Sequence, residues 1–218
     1  MQDRRLKLDA YTTEDEQVEK IKKWWSENGK AITLGLILGL GGLFGYRYYE
    51  ATRITEGQNA SINYEHLLRV ASNGSSEEAS AAADAIISGY PKSIYAKLSA
   101  LVIAKLAVDV RNLEEAKVRL QWVIDNSEGG KIKPLAQARM AQVLLAQGEI
   151  EQAGAVIDQI DSLHADRFSE LRGDVLLAQG KHDEARSMYS KTLDEVLQRG
   201  GAPGALELKI DNINLATQ

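Results

Sequence analysis

The hexapeptide VLLAQG occurs twice, at Val143–Gly148 and again at Val175–Gly180, 32 residues apart, and each copy is followed five residues later by an alanine, Ala153 or Ala185. A repeat at this interval restricts the fold severely, because it marks supersecondary units that cannot bury their apolar side alone and must stack on neighbours. Gly148-Glu-Ile-Glu-Gln-Ala153 and Gly180-Lys-His-Asp-Glu-Ala185 read as the same turn. A weaker copy precedes them: Leu98–Val108 supplies a first helix, Arg111-Asn-Leu-Glu-Glu-Ala116 the turn, and Leu120, Val123 and Ile124 a packing face. The first helix of each pair ends in a left-handed turn that glycine adopts at little cost, and a small alanine lets the second helix pack closely on the first. Ala116, Gly148, Ala153, Gly180 and Ala185 are therefore the expected repeat-packing residues.

The rest of the chain agrees with helices. No alternating strand pattern follows residue 56, and the three prolines, Pro91, Pro134 and Pro203, stand near helix starts or in loops. SNGSS at 72–76, NSEGG at 126–130 and GGAPG at 200–204 divide the region into hairpins. Period and pattern are those of a tetratricopeptide array of about 34 residues per unit. Ser76–Ile87, with an alanine-rich face, and Ala205–Leu215 are the expected caps. The fold class is all-α, a TPR-like helical-repeat solenoid; a generic helical bundle is the alternative.

One segment is of another kind. Ala31–Tyr46 reads AITLGLILGLGGLFGY, sixteen residues without a charge between Lys30 and Arg47. It would rise about 24 Å as a helix, which flanking Lys and Arg extend by snorkelling. Trp24 and Trp25 precede it, and Tyr46, Tyr48 and Tyr49 close it, the aromatic belt of a bilayer interface. Trp24, Trp25, Lys30, Arg47 and Tyr48 are the expected interfacial anchors of a transmembrane helix over 29–49. A cleavable signal peptide fits poorly, since the bulky RYYEATR that follows offers no small-residue cleavage site. Lys20, Lys22, Lys23 and Lys30 outnumber Arg47 and Arg53, which keeps the N-terminus in the cytoplasm and exports the large domain. Ala31, Gly35, Gly39 and Gly42 form a smooth stripe at helical spacing. It is either a contact face for another membrane helix or the ordinary glycine content of such spans.

The expected organisation is thus a cytoplasmic tail (1–28), the membrane helix (29–49), a connecting helical segment (50–72) and an exported repeat domain (73–218). In the tail, Thr13 and Glu16 fit a capping box, and Val18, Ile21 and Trp25 share one face of a short amphipathic helix ending at Gly29. It lies on the inner leaflet or docks on a cytoplasmic partner.

Several chemistries are disfavoured. The chain has no Cys, so disulfides, thiolate metal sites and cysteine nucleophiles are excluded. His66, His164 and His182 lack ligand spacing, and paired acids such as Glu114-Glu115 and Asp183-Glu184 open helices, where they offset the dipole. Phe44 interrupts any G-x-G-x-x-G reading of the glycines. Residues 1–56 carry nine bases and nine acids, so the net charge of -5 belongs to the remainder, which is not built for nucleic acid. No enzyme and no cofactor are expected.

The order of parts, WWSENGKAITLGLILGLGGLFGYRYY, LEEAKVRLQWVID, LRGDVLLAQGKHDEARSMY and a closing ELKIDNINL, closely resembles the YfgM-like family, ancillary subunits of the bacterial SecYEG translocon. The resemblance runs over nearly the whole chain, the MQDRRLKLDAYTT stretch excepted. It implies a type II inner-membrane protein of a Gram-negative bacterium. It further implies association with SecYEG and with the membrane-anchored periplasmic chaperone PpiD, in passing exported polypeptides to chaperones, and a link from the N-terminal part to a cytoplasmic response regulator.

Overall fold

A computed structural model describes Asp3–Ala216, with side-chain surroundings from Glu16 onward, Asn214 and Ala216 excepted. Ten α-helices follow in order among these residues: α1 Asp3–Ser72, α2 Ser76–Gly89, α3 Ile94–Asp109, α4 Leu113–Asp125, α5 Ile132–Ala146, α6 Ile150–Asp158, α7 Ser162–Ala165, α8 Ser169–Ala178, α9 His182–Gln198 and α10 Ala205–Ala216. A 3₁₀ turn at Asp166–Phe168 joins α7 to α8. No strand occurs among the described residues. The chain divides into two units, Met1–Thr55 and Glu56–Gln218.

The first unit holds the N-terminal part of α1. The sequence suggests separate tail, membrane and connecting helices, but α1 passes through Gly29 without a break. The reason is local. The Trp25 indole lies over Gly29, where a Cβ would meet the ring at 3.0 Å, and Thr33 Oγ1 donates to the Gly29 carbonyl at 2.7 Å. Glycine here makes room for an i,i+4 aromatic neighbour rather than ending the helix. The capping box at Thr13 involves a side chain outside the described residues, and the helix already runs through that position.

The second unit is a stack of hairpins. α3 pairs with α4, α5 with α6 and α8 with α9; α3 to α6 and α8 share a continuous core that includes Leu101, Leu120, Val123, Met140, Leu144, Ile157 and Val175. A further hairpin lies ahead of these. Leu67, near the end of α1, is fully buried against Ala79, Ala83 and Ile86 of α2 and Ala96 and Ile103 of α3. Ser76–Ile87 closes that end of the stack not alone but together with the end of α1, within residues that read as a connector. No break in α1 announces that pair, so its apolar spacing hides in a longer helix. At the other end, α10 covers α9 through Leu206 and Ile213, which join Ala185 and Tyr189 in a separate small core.

Candidate functional site

The turns set the register of everything they join. Gly148 and Gly180 have φ of 77° and 76°, the left-handed conformation that costs a residue without a Cβ least. Glu149 N–H reaches back to the Leu144 carbonyl and Lys181 N–H to Leu176, each at 2.9 Å, the 6→1 bond of a Schellman end. The copy at Arg111 closes the same way, Asn112 N–H donating to Ala107 at 2.8 Å, yet Arg111 itself takes φ 59°. Gly74, at φ 82°, stands five residues before the fully buried Ala79, and so repeats the register in the first hairpin. Ala116, Ala153 and Ala185 are likewise fully buried, each where its helix meets the preceding one.

Charged groups join successive units. Arg119 of α4 bonds both Asp84 of α2 and Glu115, and Lys117 reaches Glu149 in the next turn at 2.9 Å. Arg172 of α8 bonds Asp158 at the end of α6 at 3.0 Å. The most elaborate junction holds the C-terminal helix. Lys209 of α10 donates to Asp174 at 2.6 Å and to Glu170 at 2.8 Å, and its ammonium lies 5.3 Å above the Tyr189 ring. Tyr189 donates from its hydroxyl to Asp174 at 2.8 Å. Its ring lies on Gly173, where a Cβ would come within 2.5 Å of it. The LRGD, ARSMY and LKID segments, far apart in sequence, thus meet at one place. Burial opposes the Lys209 charge, but the two carboxylates outweigh it and raise its pKa; burial, then the bond to Asp174, raises that of Tyr189.

Between α3, α4 and α5 lies a groove of about 310 Å³. Val108, Leu113, Leu120 and Val143 give it apolar walls, and Arg139 and Gln142 bring polar groups into it from α5. Sequence reasoning does not find this groove, because its walls come from three helices and carry no motif.

In the first unit, the apolar segment is exposed along its length: Leu38 is 67% and Phe44 69% accessible, and Trp24, Trp25 and Tyr48 are each more than half exposed. Lys30 and Arg47 are exposed as well. A Cβ at Gly35, Gly39 or Gly42 would meet nothing within 4 Å, so the stripe has no neighbour within the chain among the described residues. One helix among the described residues is long and apolar enough to cross a membrane.

Stacked helical hairpins closed by glycine turns and packed through alanines define a tetratricopeptide-like repeat protein. The family model described as a tetratricopeptide repeat-like domain matches residues 22–215, and the chain belongs to that family. It is similar over almost its whole length to proteins named ancillary SecYEG translocon subunit, as the sequence motifs suggest. The Escherichia coli K12 protein is 28% identical over 95% of this chain and 100% of its own length. That of Neisseria gonorrhoeae is 29% identical over 94% and 99%, and that of Haemophilus influenzae 29% over 84% and 90%. Among solved structures, the nearly identical TPR-like repeats of a Podosopora anserina kinesin light chain, as a Q17M variant, superpose with a TM-score of 0.59. They are 13% identical, covering 74% of this chain and 87% of that one. The MamA RS-1 ArsTM double mutant gives 0.53 at 13% identity over 74% and 98%. These two bear on the fold alone.

Proposed function

We propose that this protein is a non-catalytic, single-pass inner-membrane scaffold that serves a SecYEG-type translocon as an ancillary subunit. The observation that carries the reading is the similarity to proteins of that name across both the apolar helix and the repeats. Exposure of the apolar segment supports it: a large apolar side chain left in water forgoes roughly 1.5–3 kcal/mol, and a domain's net stability is only about 5–15 kcal/mol. A soluble chain has little reason to display Leu34, Leu36, Ile37, Leu38, Leu43 and Phe44 together. The segment over about 29–49 then crosses the bilayer, with Trp24, Trp25, Lys30, Arg47 and Tyr48 at its interfaces. The lysine bias holds residues 1–28 in the cytoplasm and the repeats in the periplasm. Gly35, Gly39 and Gly42 present the face for a translocon helix, since small residues let backbones approach closely. The repeat unit engages a periplasmic chaperone such as PpiD, or the exported polypeptide itself.

Copurification of the tagged full chain from mild detergent tests this. Translocon subunits should be recovered, and a photoreactive residue at Gly39 should crosslink to one of them. Translocon-free preparations with the apolar helix intact would sink the reading. A second reading makes the protein a regulator whose tail sequesters a cytoplasmic response regulator. Its support is the exposure of Val18, Ile21 and Trp25 on one helical face. Removing residues 1–23 separates the two: translocon recovery persists under the first and the regulatory effect vanishes under the second.

A further inference from the structure

The groove between α3, α4 and α5 has a property its apolar walls do not explain. Arg139 projects into it, half-buried, and makes no hydrogen bond or ion pair among the described residues. The other cation at the groove, Lys105, is already matched by Asp109 at 2.6 Å. Elsewhere in this unit Arg119, Arg172, Arg186 and Lys209 each hold a carboxylate, as the acidic excess of the unit makes easy. Arg139 is therefore a guanidinium left open beside apolar surface, in a cleft at the lower end of the size range, about 300–1,000 Å³, in which proteins bind ligands.

That combination selects its ligand. A purely apolar segment covering the groove would bury the guanidinium without a counter-charge, which costs far more than the apolar contact returns. A ligand that brings a carboxylate satisfies it, with the Arg fork offering two parallel N–H donors and Gln142 beside it. We propose that the groove binds an internal acidic segment of a partner polypeptide, in which one Asp or Glu stands among large apolar residues, its carboxylate on Arg139 and its apolar neighbours against Val108, Leu113 and Val143. The assignment rests on the reading of the repeat unit as a partner-binding scaffold. An internal side chain rather than a chain terminus is the occupant. A backbone nest of the kind that captures a chain terminus is missing from the α3 and α5 walls, which are helix interiors whose N–H groups bond their own helix.

Fluorescence anisotropy with the purified full chain in detergent micelles tests this, using short Leu/Ala peptides blocked at both ends. The peptide with one central Glu should bind about tenfold more tightly than its Gln counterpart, roughly the strength of one partly desolvated charge pair. Arg139→Gln should erase that advantage, Arg139→Lys should keep part of it, and Arg199→Gln, which removes an exposed cation elsewhere, should leave it whole. Because Arg139 has no partner among the described residues, its variants should melt as the parent does. Equal binding of the Glu and Gln peptides overturns the proposal, as does an advantage that survives in Arg139→Gln. So does a Gln peptide with a free C-terminal carboxylate binding as well as the Glu peptide. Failure of the peptide test while translocon subunits still copurify removes the groove assignment alone; loss of copurification removes the scaffold reading.

Discussion

Arg111 occupies the left-handed position that Gly148 and Gly180 fill in the later turns, and it carries a Cβ into a conformation that costs an L-residue roughly 1–2 kcal/mol. Glycine escapes that cost but loses more backbone freedom on folding. Arg111→Gly should therefore stabilise the repeat unit by about 0.5–1 kcal/mol, and Gly148→Ala or Gly180→Ala should destabilise it by about 1 kcal/mol. Urea titrations of the three variants, compared at equal slope, check both signs. The same position shows what a sequence conveys at this scale. Alanine at the fifth residue after the turn is legible in the copies at Ala116, Ala153 and Ala185, because a close helix contact demands a small side chain. The left-handed residue of the turn is plain as glycine, whereas at Arg111 only the residues that follow mark it. Where the structure tolerates Arg111, or where Gly74 precedes a helix with no VLLAQG before it, the backbone conformation is shared although the letters differ.

At the scale of the helix, two interior glycines look alike in sequence and differ in consequence. A Cβ on Gly154 would touch the amide end of Gln179, which can swing away, whereas one on Gly173 would enter the ring of the fully buried Tyr189. Gly173→Ala should cost about 1–3 kcal/mol through overpacking, and Gly154→Ala less than about 1 kcal/mol, as thermal denaturation of the two will show. The α10 junction also predicts a pH effect. Folded Lys209 holds its proton more tightly than the unfolded chain does, so its contribution is complete below the unfolded lysine pKa of about 10.4 and disappears as pH rises through the higher folded value. Tyr189, also raised, acts in the same direction. Stability measured from pH 9 to 11 should fall, and Lys209→Met should flatten that fall; an unchanged slope would contradict the assignment. Thermal denaturation of Leu67→Ala tests the first hairpin. The residue reads as connector but is buried in the first hairpin, so the expected loss is about 2–5 kcal/mol.

Taken as a whole, the second unit begins at Glu56, and a fragment of residues 56–218 should fold cooperatively, whereas one starting at residue 73 lacks Leu67 and exposes Ala79, Ala83 and Ile86. Circular dichroism melts of the two fragments will distinguish them. The all-helical repeat fold was legible from the period, since a recurrent apolar unit must stack. The number of hairpins was not, because the first one borrows the end of α1 and has no punctuation on its N-terminal side. The groove was invisible for a related reason, being assembled across three helices whose residues there form no pattern along the chain. The cap junction was half visible: its motifs stood out in sequence, but only the fold shows that they meet.

One property of this stack bears on how the molecule comes into being. The ties described between hairpins are short in sequence: Arg119 reaches back 35 residues to Asp84, Lys117 forward 32 to Glu149, and Lys209 back 39 to Glu170. Contacts this local favour rapid folding, and each hairpin finds its main support in the residues synthesised just before it. Such a chain has no need to hold its early segments open for a distant partner. It can set in order from its N-terminal end as it emerges, so that at any moment only the newest hairpin still awaits its next neighbour.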